Sequence, residues 1–200
     1  MEYFAGLDVG SLSTEVVILD AHDAILSYSI VETGANSTEA AETALNDALI
    51  CAGISRQHVL ASVATGYGRD AVPLAGKKVT EISCHALGAH HRFPDIGTVI
   101  DIGGQDSKVI HVGKDGKVLD FTMNDKCAAG TGRFLEVMAG KLHVPLHELG
   151  DLSLSTQNEV LISSVCTVFA ESEVVSLVAK NHPKEEIVRG IHQAIVNRVW

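Results

Sequence analysis

The sequence lacks the features that mark several large classes of protein. It has no apolar run of the roughly 18 residues that a membrane-spanning helix needs, and its first residues, MEYFAGLDVG, lack the basic segment and apolar stretch of a signal peptide. Its 15 Lys and Arg are scattered and are outnumbered by 25 Asp and Glu. The net charge of −10 repels nucleic-acid backbones and anionic membranes. These absences indicate a cytoplasmic protein that binds neither nucleic acid nor a membrane.

Cysteine and aromatic residues are also sparse. Aromatic side chains make up 4% of the sequence, and the four cysteines are Cys51, Cys84, Cys127 and Cys166. In a reducing cytoplasm, isolated cysteines are poor candidates for disulfides and better ones for burial, metal binding or redox chemistry. Cys51 and Cys84 fall in helical patterns among apolar residues, so we assign both to packing. A zinc site built from Cys84 and the nearby histidines would not have the spacing of a common structural zinc motif.

Apolar residues and glycine, by contrast, are abundant. A hydrophobic content of 46% over 200 residues is enough for one good core or two small ones, and 18 glycines suit an α/β chain with many tight turns. Strand patterns dominate up to Asp125, and helical patterns dominate after it. The first helix is predicted to begin at a Ser/Thr N-cap and to end near Gly53. Helices are predicted over 37–54, 80–91, 130–142, 156–181 in two pieces, and 184–200.

Two aspartate-glycine turns repeat within the strand-rich part. The stretches DVGSLSTEVV and DIGGQDSKVI align without a gap, so that Asp8 is aligned with Asp101 and Gly10 with Gly103. Each is predicted to be a strand, a turn in which glycine lets the backbone approach closely, and a second strand. Backbone N–H groups in such a turn can line an anion site, and the adjacent carboxylate can hold Mg²⁺ or orient water. Two such hairpins would clamp a polyphosphate, whereas ordinary turn chemistry in two unrelated hairpins is the alternative interpretation.

Paired hairpins of this form resemble the phosphate-1 and phosphate-2 motifs of the actin, hexokinase and Hsp70 superfamily of ATPases. The stretches ATGYGRD, TEISCHALGAH, DIGGQDSK and NDKCAAGTGRFLE narrow the resemblance to the activator ATPases of 2-hydroxyacyl-CoA dehydratases, the BadF/BadG/BcrA/BcrD type, which are relatives of the ATPase subunits of benzoyl-CoA reductase. The match runs from Gly6 to at least Glu173. It implies an α/β chain with the actin-like, or ribonuclease H-like, ATPase fold and duplicated phosphate turns.

The resemblance also implies a division of the chain. Residues 1–120 would form a first subdomain with both phosphate turns, and residues 121–200 would form the helical part of a second domain with the cluster cysteines. Family members continue into a glycine-rich segment that completes the adenosine pocket, whereas this sequence stops at Trp200 inside an apparent helix. We therefore expect a chain truncated within the second domain, in which the phosphate turns alone would give little recognition of adenine.

A shared iron-sulfur cluster is the cofactor that the resemblance implies, with Cys127 and Cys166 of each subunit of a homodimer holding one 4Fe-4S cluster. A cluster needs four thiolates, and neither cysteine has a second one at ferredoxin spacing, so two-fold symmetry would supply the missing pair. Both cysteines precede predicted helices, whose N-terminal N–H groups favour a thiolate. From the residues alone, simple burial of either thiol is the alternative.

The function implied by the resemblance is ATP-dependent electron transfer. ATP binding and hydrolysis would drive one low-potential electron, received from ferredoxin or flavodoxin, into a separate 2-hydroxyacyl-CoA dehydratase. Asp8 and Asp101 would act at Mg²⁺ and the attacking water. The residues implied to contact the phosphates are Gly10, Ser11, Ser13, Thr14, Gly103, Gly104 and Gln105.

Other interpretations of the same turns remain open. Asp106 and Lys108 could belong to the phosphate site or only to the hairpin, and by default we expect Lys108 to be a surface charge on a strand. A sugar or amino-sugar kinase of the same superfamily would share both turns but would need an aspartate base and no cluster. A nucleotide-responsive binding module with buried, inert cysteines is a further alternative.

Overall fold

The computed structural model describes residues 2–72, 75–126, 128–163 and 166–199. The chain forms two compact units, which we call unit 1 and unit 2. Unit 1 consists of Met1–Val99 and Ile110–Phe121, and unit 2 consists of Ile100–Val109 and Thr122–Trp200. The chain therefore enters unit 2 briefly, returns to unit 1 and then completes unit 2. The division at residue 120 that the resemblance implies stays a prediction about domains.

Unit 1 is built on a five-stranded sheet with the strand order β3-β2-β1-β4-β5. Strands β1 and β2 are antiparallel, as the predicted hairpin requires, and Asp8 pairs with Glu15. Strand β4 runs parallel to β1 and places Thr65 beside Asp8. A parallel pair needs a crossover connection, which helix α1 lies within. The strands of this sheet are β1 (Tyr3–Val9), β2 (Ser13–Asp20), β3 (Ile25–Glu32), β4 (Val59–Thr65) and β5 (Lys77–Lys78).

Helix α1 covers Ser37–Ala52, close to the prediction. Its buried alanine and leucine residues belong to the same core as Leu7, Val16 and Ile18 of the sheet. The predicted Ser/Thr N-cap is wrong, because Asn36 is the N-cap and its side-chain oxygen accepts the N–H of Glu39 at 3.2 Å. Asparagine is at least as good a cap as serine because its short side chain reaches the same N–H. Gly53 ends the helix in the left-handed conformation at φ 67°.

A second, three-stranded sheet has the order β6-β7-β8. Its strands are β6 (Thr98–Ile102), β7 (Ser107–Val112) and β8 (Val118–Asn124), and helix α2 (Glu81–Arg92) precedes them. The predicted Lys-Asp-Gly-Lys turn joins β7 to β8, with Gly116 at φ 75°. In unit 1, Ala86 of α2 shares a small core with Ile110 and Val112 of β7. Short 3-10 turns lie at Arg56–His58, Arg69–Ala71 and Leu146–Glu148.

Unit 2 is mainly helical after the last strand. Its core includes Phe134, Met138, Val174 and Ile191, which come from three different helices. Among the described residues, no helix is both long and apolar enough to cross a membrane. The helices of this unit are α3 (Gly132–Leu142), α4 (Leu149–Leu154), α5 (Thr167–Ala179) and α6 (Lys184–Val199).

The first of the two helical pieces predicted over 156–181 is wrong, because residues 156–163 form no helix. Helix α4 ends at Leu154, and the segment after it has no regular structure and contacts α6. Arg189 donates to the carbonyl of Thr156 at 3.1 Å, and Gly190 lies so close to the carbonyl of Val160 that any Cβ there would overlap it. Tertiary contacts therefore override the helical pattern of this segment.

Replacing Asn36 with alanine tests the observed cap of α1. We expect a loss of about 1 kcal/mol in the free energy of unfolding, because the N–H of Glu39 loses its side-chain partner. Replacing Ser37, the first helical residue, with alanine is the matched control and should change stability little. Urea denaturation measures both variants, and an equal loss in the two would contradict the assignment of Asn36 as the cap.

Candidate functional site

The first aspartate-glycine turn, turn 1, covers residues 8–14 at the carboxyl end of β1. The N–H of Gly10 donates to the carbonyl of Ser13 at 3.0 Å. A Cβ at position 10 would lie 2.8 Å from that carbonyl oxygen, so only glycine fits without a shift of the backbone. Asp8, Ser11 and Ser13 are each half-buried at this turn. The predicted tight turn is therefore present, with a carboxylate and two hydroxyl side chains on it.

Thr33, the residue after β3, supports turn 1 through hydrogen bonds. Its hydroxyl donates to the carbonyl of Gly10 at 2.9 Å and lies 2.8 Å from the hydroxyl of Thr14. Its N–H also donates to the carbonyl of Leu12 at 2.9 Å. Thr14 is fully buried, so its side chain stabilises the turn from inside the protein. Only its backbone is positioned to contact a ligand at the turn. Sequence reasoning missed Thr33, because its role depends on the register between β2 and β3.

The ATGYGRD stretch lies directly against turn 1. Gly66 has φ 83°, and a Cβ on it would overlap Oδ1 of Asp8 and the carbonyl of Val9. The N–H of Gly68 donates to that same carbonyl at 2.8 Å. From α2, Nε2 of His85 lies 4.0 Å from Oδ2 of Asp8. Two of the stretches that carry the family resemblance thus supply the surroundings of the Asp8 carboxylate, including His85, whose place beside Asp8 we did not predict.

The second aspartate-glycine turn, turn 2, covers residues 101–107. A Cβ on Gly103 would lie 2.5 Å from the side-chain Oδ1 of Asp106 and 3.3 Å from the carbonyl oxygen of Asp106, so the nearest atom belongs to a side chain here and to the backbone in turn 1. Gly104 is half-buried and Gln105 is exposed, so both can meet a ligand. Ser107, the counterpart of Thr14 in the repeat, is buried like Thr14.

Lys108 is buried beneath turn 2, so the expectation of a surface charge is wrong. Its side chain is 3% exposed, and its Nζ lies 2.7 Å from Oδ1 of Asp106 and 3.4 Å from Oδ2 of Asp101. Burial alone would lower the pKa of Lys108, but the hydrogen bonds and charges of Asp106 and Asp101 outweigh burial and raise it. The ammonium group therefore stays charged and holds the Asp101 carboxylate in place.

The start of α3 is hydrogen-bonded to turn 2. The N–H of Gly132 donates to the carbonyl of Gly103 at 2.8 Å, and the N–H of Arg133 donates to the carbonyl of Gly104 at 3.0 Å. Thr131 is fully buried, and its hydroxyl donates to the carbonyl of Ala128 at 2.7 Å. These bonds satisfy two of the N–H groups that a helix start leaves unpaired. They also bring the backbones together at Gly132, the last residue of AAGTG, where a Cβ would lie 3.3 Å from the carbonyl oxygen of Gly103.

The four cysteines differ in their surroundings. Cys127 lies outside the described residues. Cys166 is the N-cap of α5, as predicted near a helix start, and its partly exposed thiol makes no capping hydrogen bond. Cys84 on α2 is partly buried, but Cys51 on α1 is exposed, so its assignment to packing is wrong. Within the described ranges, no three His, Cys, Asp or Glu side chains are grouped so that they could hold a metal ion.

Helix α5 has apolar residues on its solvent side, close to Cys166. Val168 and Phe169 are 65% and 63% exposed, and Val175, two turns beyond Val168, is 52% exposed. Residues seven apart lie on the same face of a helix, so Val168 and Val175 share one face, with Ser172 between them. We call Val168, Phe169 and Val175 the α5 patch.

These features define an ATPase of the actin-like class, in which two glycine turns each follow an aspartate at the end of a strand. The chain belongs to the BadF/BadG/BcrA/BcrD ATPase family, whose model matches residues 5–200. The family and the fold class expected from the resemblance are therefore confirmed.

Close relatives of the chain are named dehydratase activators. It is 46% identical over 197 residues to the 2-hydroxyisocaproyl-CoA dehydratase activator of Clostridioides difficile, covering 98% of this chain and 74% of that relative. Its structure is similar to component A of the Acidaminococcus fermentans (R)-2-hydroxyglutaryl-CoA dehydratase, with a TM-score of 0.93 and 44% identity over 100% of this chain and 76% of the other. The Clostridium difficile 2-hydroxyisocaproyl-CoA dehydratase activator with bound ADPNP gives a TM-score of 0.92 and 46% identity, over 98% and 73%.

Replacing Lys108 with methionine keeps the side-chain length and removes the cation. We expect a loss of about 3–5 kcal/mol in the free energy of unfolding, because Asp106 would be left buried without its ion-pair partner. Lys117→Met is the control, since the Lys117–Asp115 pair is exposed and should contribute little. Similar urea denaturation curves for the two variants would contradict a structural role for the buried lysine.

The raised pKa of Lys108 also predicts a dependence of stability on pH. A lysine that binds its proton more tightly in the folded state stabilises the fold fully below its ordinary pKa of 10.5. That contribution is lost as the pH rises through the higher pKa of the folded state. The stability difference between wild type and Lys108→Met should therefore be constant at neutral pH and narrow above about pH 10.5. Denaturation curves across this range measure it, and a difference that widens would contradict the assignment.

Proposed function

We propose that this chain is the ATP-driven activator of a 2-hydroxyacyl-CoA dehydratase and delivers one low-potential electron to it in the cytoplasm. The named activity of its relatives supports the proposal, at 46% identity to the Clostridioides difficile activator and 45% identity to the (R)-2-hydroxyglutaryl-CoA dehydratase activating ATPase of Acidaminococcus fermentans. Ferredoxin or flavodoxin is the proposed electron donor. The acyl-CoA substrate binds the dehydratase, so its recognition does not depend on this chain.

Each turn carries proposed phosphate-contacting residues and one proposed catalytic carboxylate, turn 1 within unit 1 and turn 2 within unit 2. Asp8 and Asp101 would orient Mg²⁺ and the water that attacks the γ-phosphate, which yields ADP and phosphate. Both carboxylates are partly exposed, which suits this role. Thr14 would contribute through its backbone, because its hydroxyl is already bonded to Thr33. The other proposed phosphate contacts are Gly10, Ser11, Ser13, Gly103, Gly104 and Gln105.

Cys166 suits the role of a cluster ligand. Cys166 is partly exposed at the start of a 13-residue helix and its side chain makes no capping hydrogen bond, so the sulfur is available to bind a metal. We propose that Cys127 and Cys166 of each of two subunits hold one 4Fe-4S cluster. A subunit that supplies only two of the four thiolates would form no complete metal-binding group by itself. The bound cluster would supply a one-electron carrier.

A homodimer follows from this arrangement, and the α5 patch supports it. Val168, Phe169 and Val175 are more than half exposed beside Cys166. Exposed apolar side chains on one helix favour a protein contact. A second copy related by two-fold symmetry would bring both α5 helices, and therefore both Cys166 thiols, toward one axis.

The hydrogen bonds between turn 2 and α3 are the observation on which the proposal depends most. They run from the carbonyls of Gly103 and Gly104 to the N–H groups of Gly132 and Arg133. Thr131, next to Gly132, is bonded in turn to Ala128, the residue that follows Cys127. A change of turn 2 on ATP binding or hydrolysis would therefore displace the backbone beside a cluster ligand. This contact gives ATP hydrolysis a direct mechanical route to the electron carrier.

Iron and acid-labile sulfide, measured per dimer after anaerobic reconstitution, test the proposal. We expect about four irons per dimer and a brown protein in the wild type. Cys127→Ser and Cys166→Ser should each lose the iron, because a cluster that lacks two of its four thiolates across the dimer is not retained.

Cys51→Ser and Cys84→Ser are the matched controls, and both should keep the iron because neither cysteine is a proposed ligand. The visible spectrum and the mass of the particle by light scattering are recorded on the same samples. A wild-type protein without iron would leave an ATPase of the family with no electron carrier and would overturn the proposed function. Loss of iron in the two control variants would overturn the ligand assignment.

A further inference from the structure

Thr65 carries a buried hydroxyl that has no hydrogen-bond partner within the described residues. The residue is 8% exposed and lies at the carboxyl end of β4. A buried hydroxyl without a partner loses its hydrogen bonds to water and gains none in return, so it destabilises the fold. Such groups are rare in native proteins, and each one requires an explanation.

Among the described residues, the three other threonines that are themselves buried have hydrogen-bonded hydroxyls, although the hydroxyl of Thr167, at the start of α5, is unpartnered like that of Thr65. Thr14 and Thr33 are hydrogen-bonded to each other, and Thr131 donates to the carbonyl of Ala128. Each of these hydroxyls supports a turn. Valine would fill nearly the same volume as Thr65 without burying a polar atom, so packing alone does not account for a threonine at this position.

The position of Thr65 connects its hydroxyl with Asp8. The two residues are direct partners in the parallel pair of β1 and β4, so their side chains lie on the same face of the sheet. Both lie at the carboxyl ends of their strands, where ligands of α/β sheets bind. The residue after Thr65 is Gly66, and a Cβ on it would overlap Oδ1 of Asp8. The absence of a side chain therefore lets the backbone pass directly beside that carboxylate.

We propose that Thr65 is a further nucleotide-site residue whose hydroxyl donates a hydrogen bond to a phosphate oxygen of Mg-ATP bound at Asp8. This inference rests on the proposed nucleotide site. The hydroxyl is a neutral donor held by a strand, and it lies next to a carboxylate that would hold Mg²⁺. It would add a contact that neither glycine turn supplies. The stability lost by burying it is recovered when the phosphate binds.

Thr65→Val removes the hydroxyl and keeps the shape, and Thr65→Ser keeps the hydroxyl. We expect kcat/KM for ATP hydrolysis to fall about tenfold to a hundredfold in Thr65→Val, as for the loss of one hydrogen bond to a charged oxygen, and affinity for a fluorescent ATP analogue to fall with it. Thr65→Ser should retain most of both. The midpoint of thermal unfolding without nucleotide should stay level or rise in Thr65→Val. Thr33→Val is the contrast, since its hydroxyl is fully bonded and its loss should lower that midpoint.

The outcomes separate this inference from the proposed function. Wild-type kinetics and nucleotide affinity in Thr65→Val would overturn the inference while leaving the ATPase intact. A lowered unfolding midpoint in Thr65→Val, comparable to that of Thr33→Val and accompanied by lost activity, would assign Thr65 a structural role and would also overturn it. A wild-type chain that hydrolyses no ATP would overturn the proposed function and this inference together.

Discussion

The hydrogen bonds between turn 2 and the start of α3 are the interaction on which the rest of this structure depends. A helix start leaves N–H groups that need acceptors, and here two of those acceptors are the carbonyls of Gly103 and Gly104. The approach is close at Gly132, because a Cβ there would lie 3.3 Å from the carbonyl oxygen of Gly103, so a larger residue would require the turn to shift by a few tenths of an ångström. A requirement of ordinary helix capping thus joins the proposed phosphate turn to the segment that follows Cys127.

A buried ion pair beneath turn 2 also fixes the position of its groups. One buried ammonium, on Lys108, faces Asp106 and the proposed catalytic carboxylate of Asp101. A buried ion pair adds little net stability compared with apolar residues of the same size, but it fixes the geometry of the groups that it joins. The corresponding carboxylate of turn 1, Asp8, is approached instead by Gly66 and His85. The two halves of the repeat thus share an aspartate followed by a glycine turn and differ in the groups around each aspartate.

Local pattern was enough to predict the hairpins, both glycine turns and most helices, because each depends on residues close together in the sequence. Long-range pairing was not predictable in the same way. Lys108 shares one face of β7 with the buried Ile110 and Val112, but a lysine is expected at the surface by default, and only closure of the hairpin brings it to Asp101. The role of Thr33 and the proposed role of Thr65 both depend on strand register. The helical pattern of residues 156–163 was overridden by contacts with α6, and Cys51 lies on the solvent face of a correctly predicted helix.

The interleaving of the two units has a consequence for how the chain acquires its structure. Residues 100–109 belong to unit 2, but residues 110–121 complete unit 1. During synthesis turn 2 therefore emerges before α3, whose N–H groups its carbonyls bond, and before α6, which supplies much of the core of unit 2. Unit 1 is complete much earlier in synthesis, since residues 110–121, its last segment, come directly after residues 100–109. Folding is thus expected to be sequential, with the proposed catalytic turn of unit 2 ordered late, when the final helix docks.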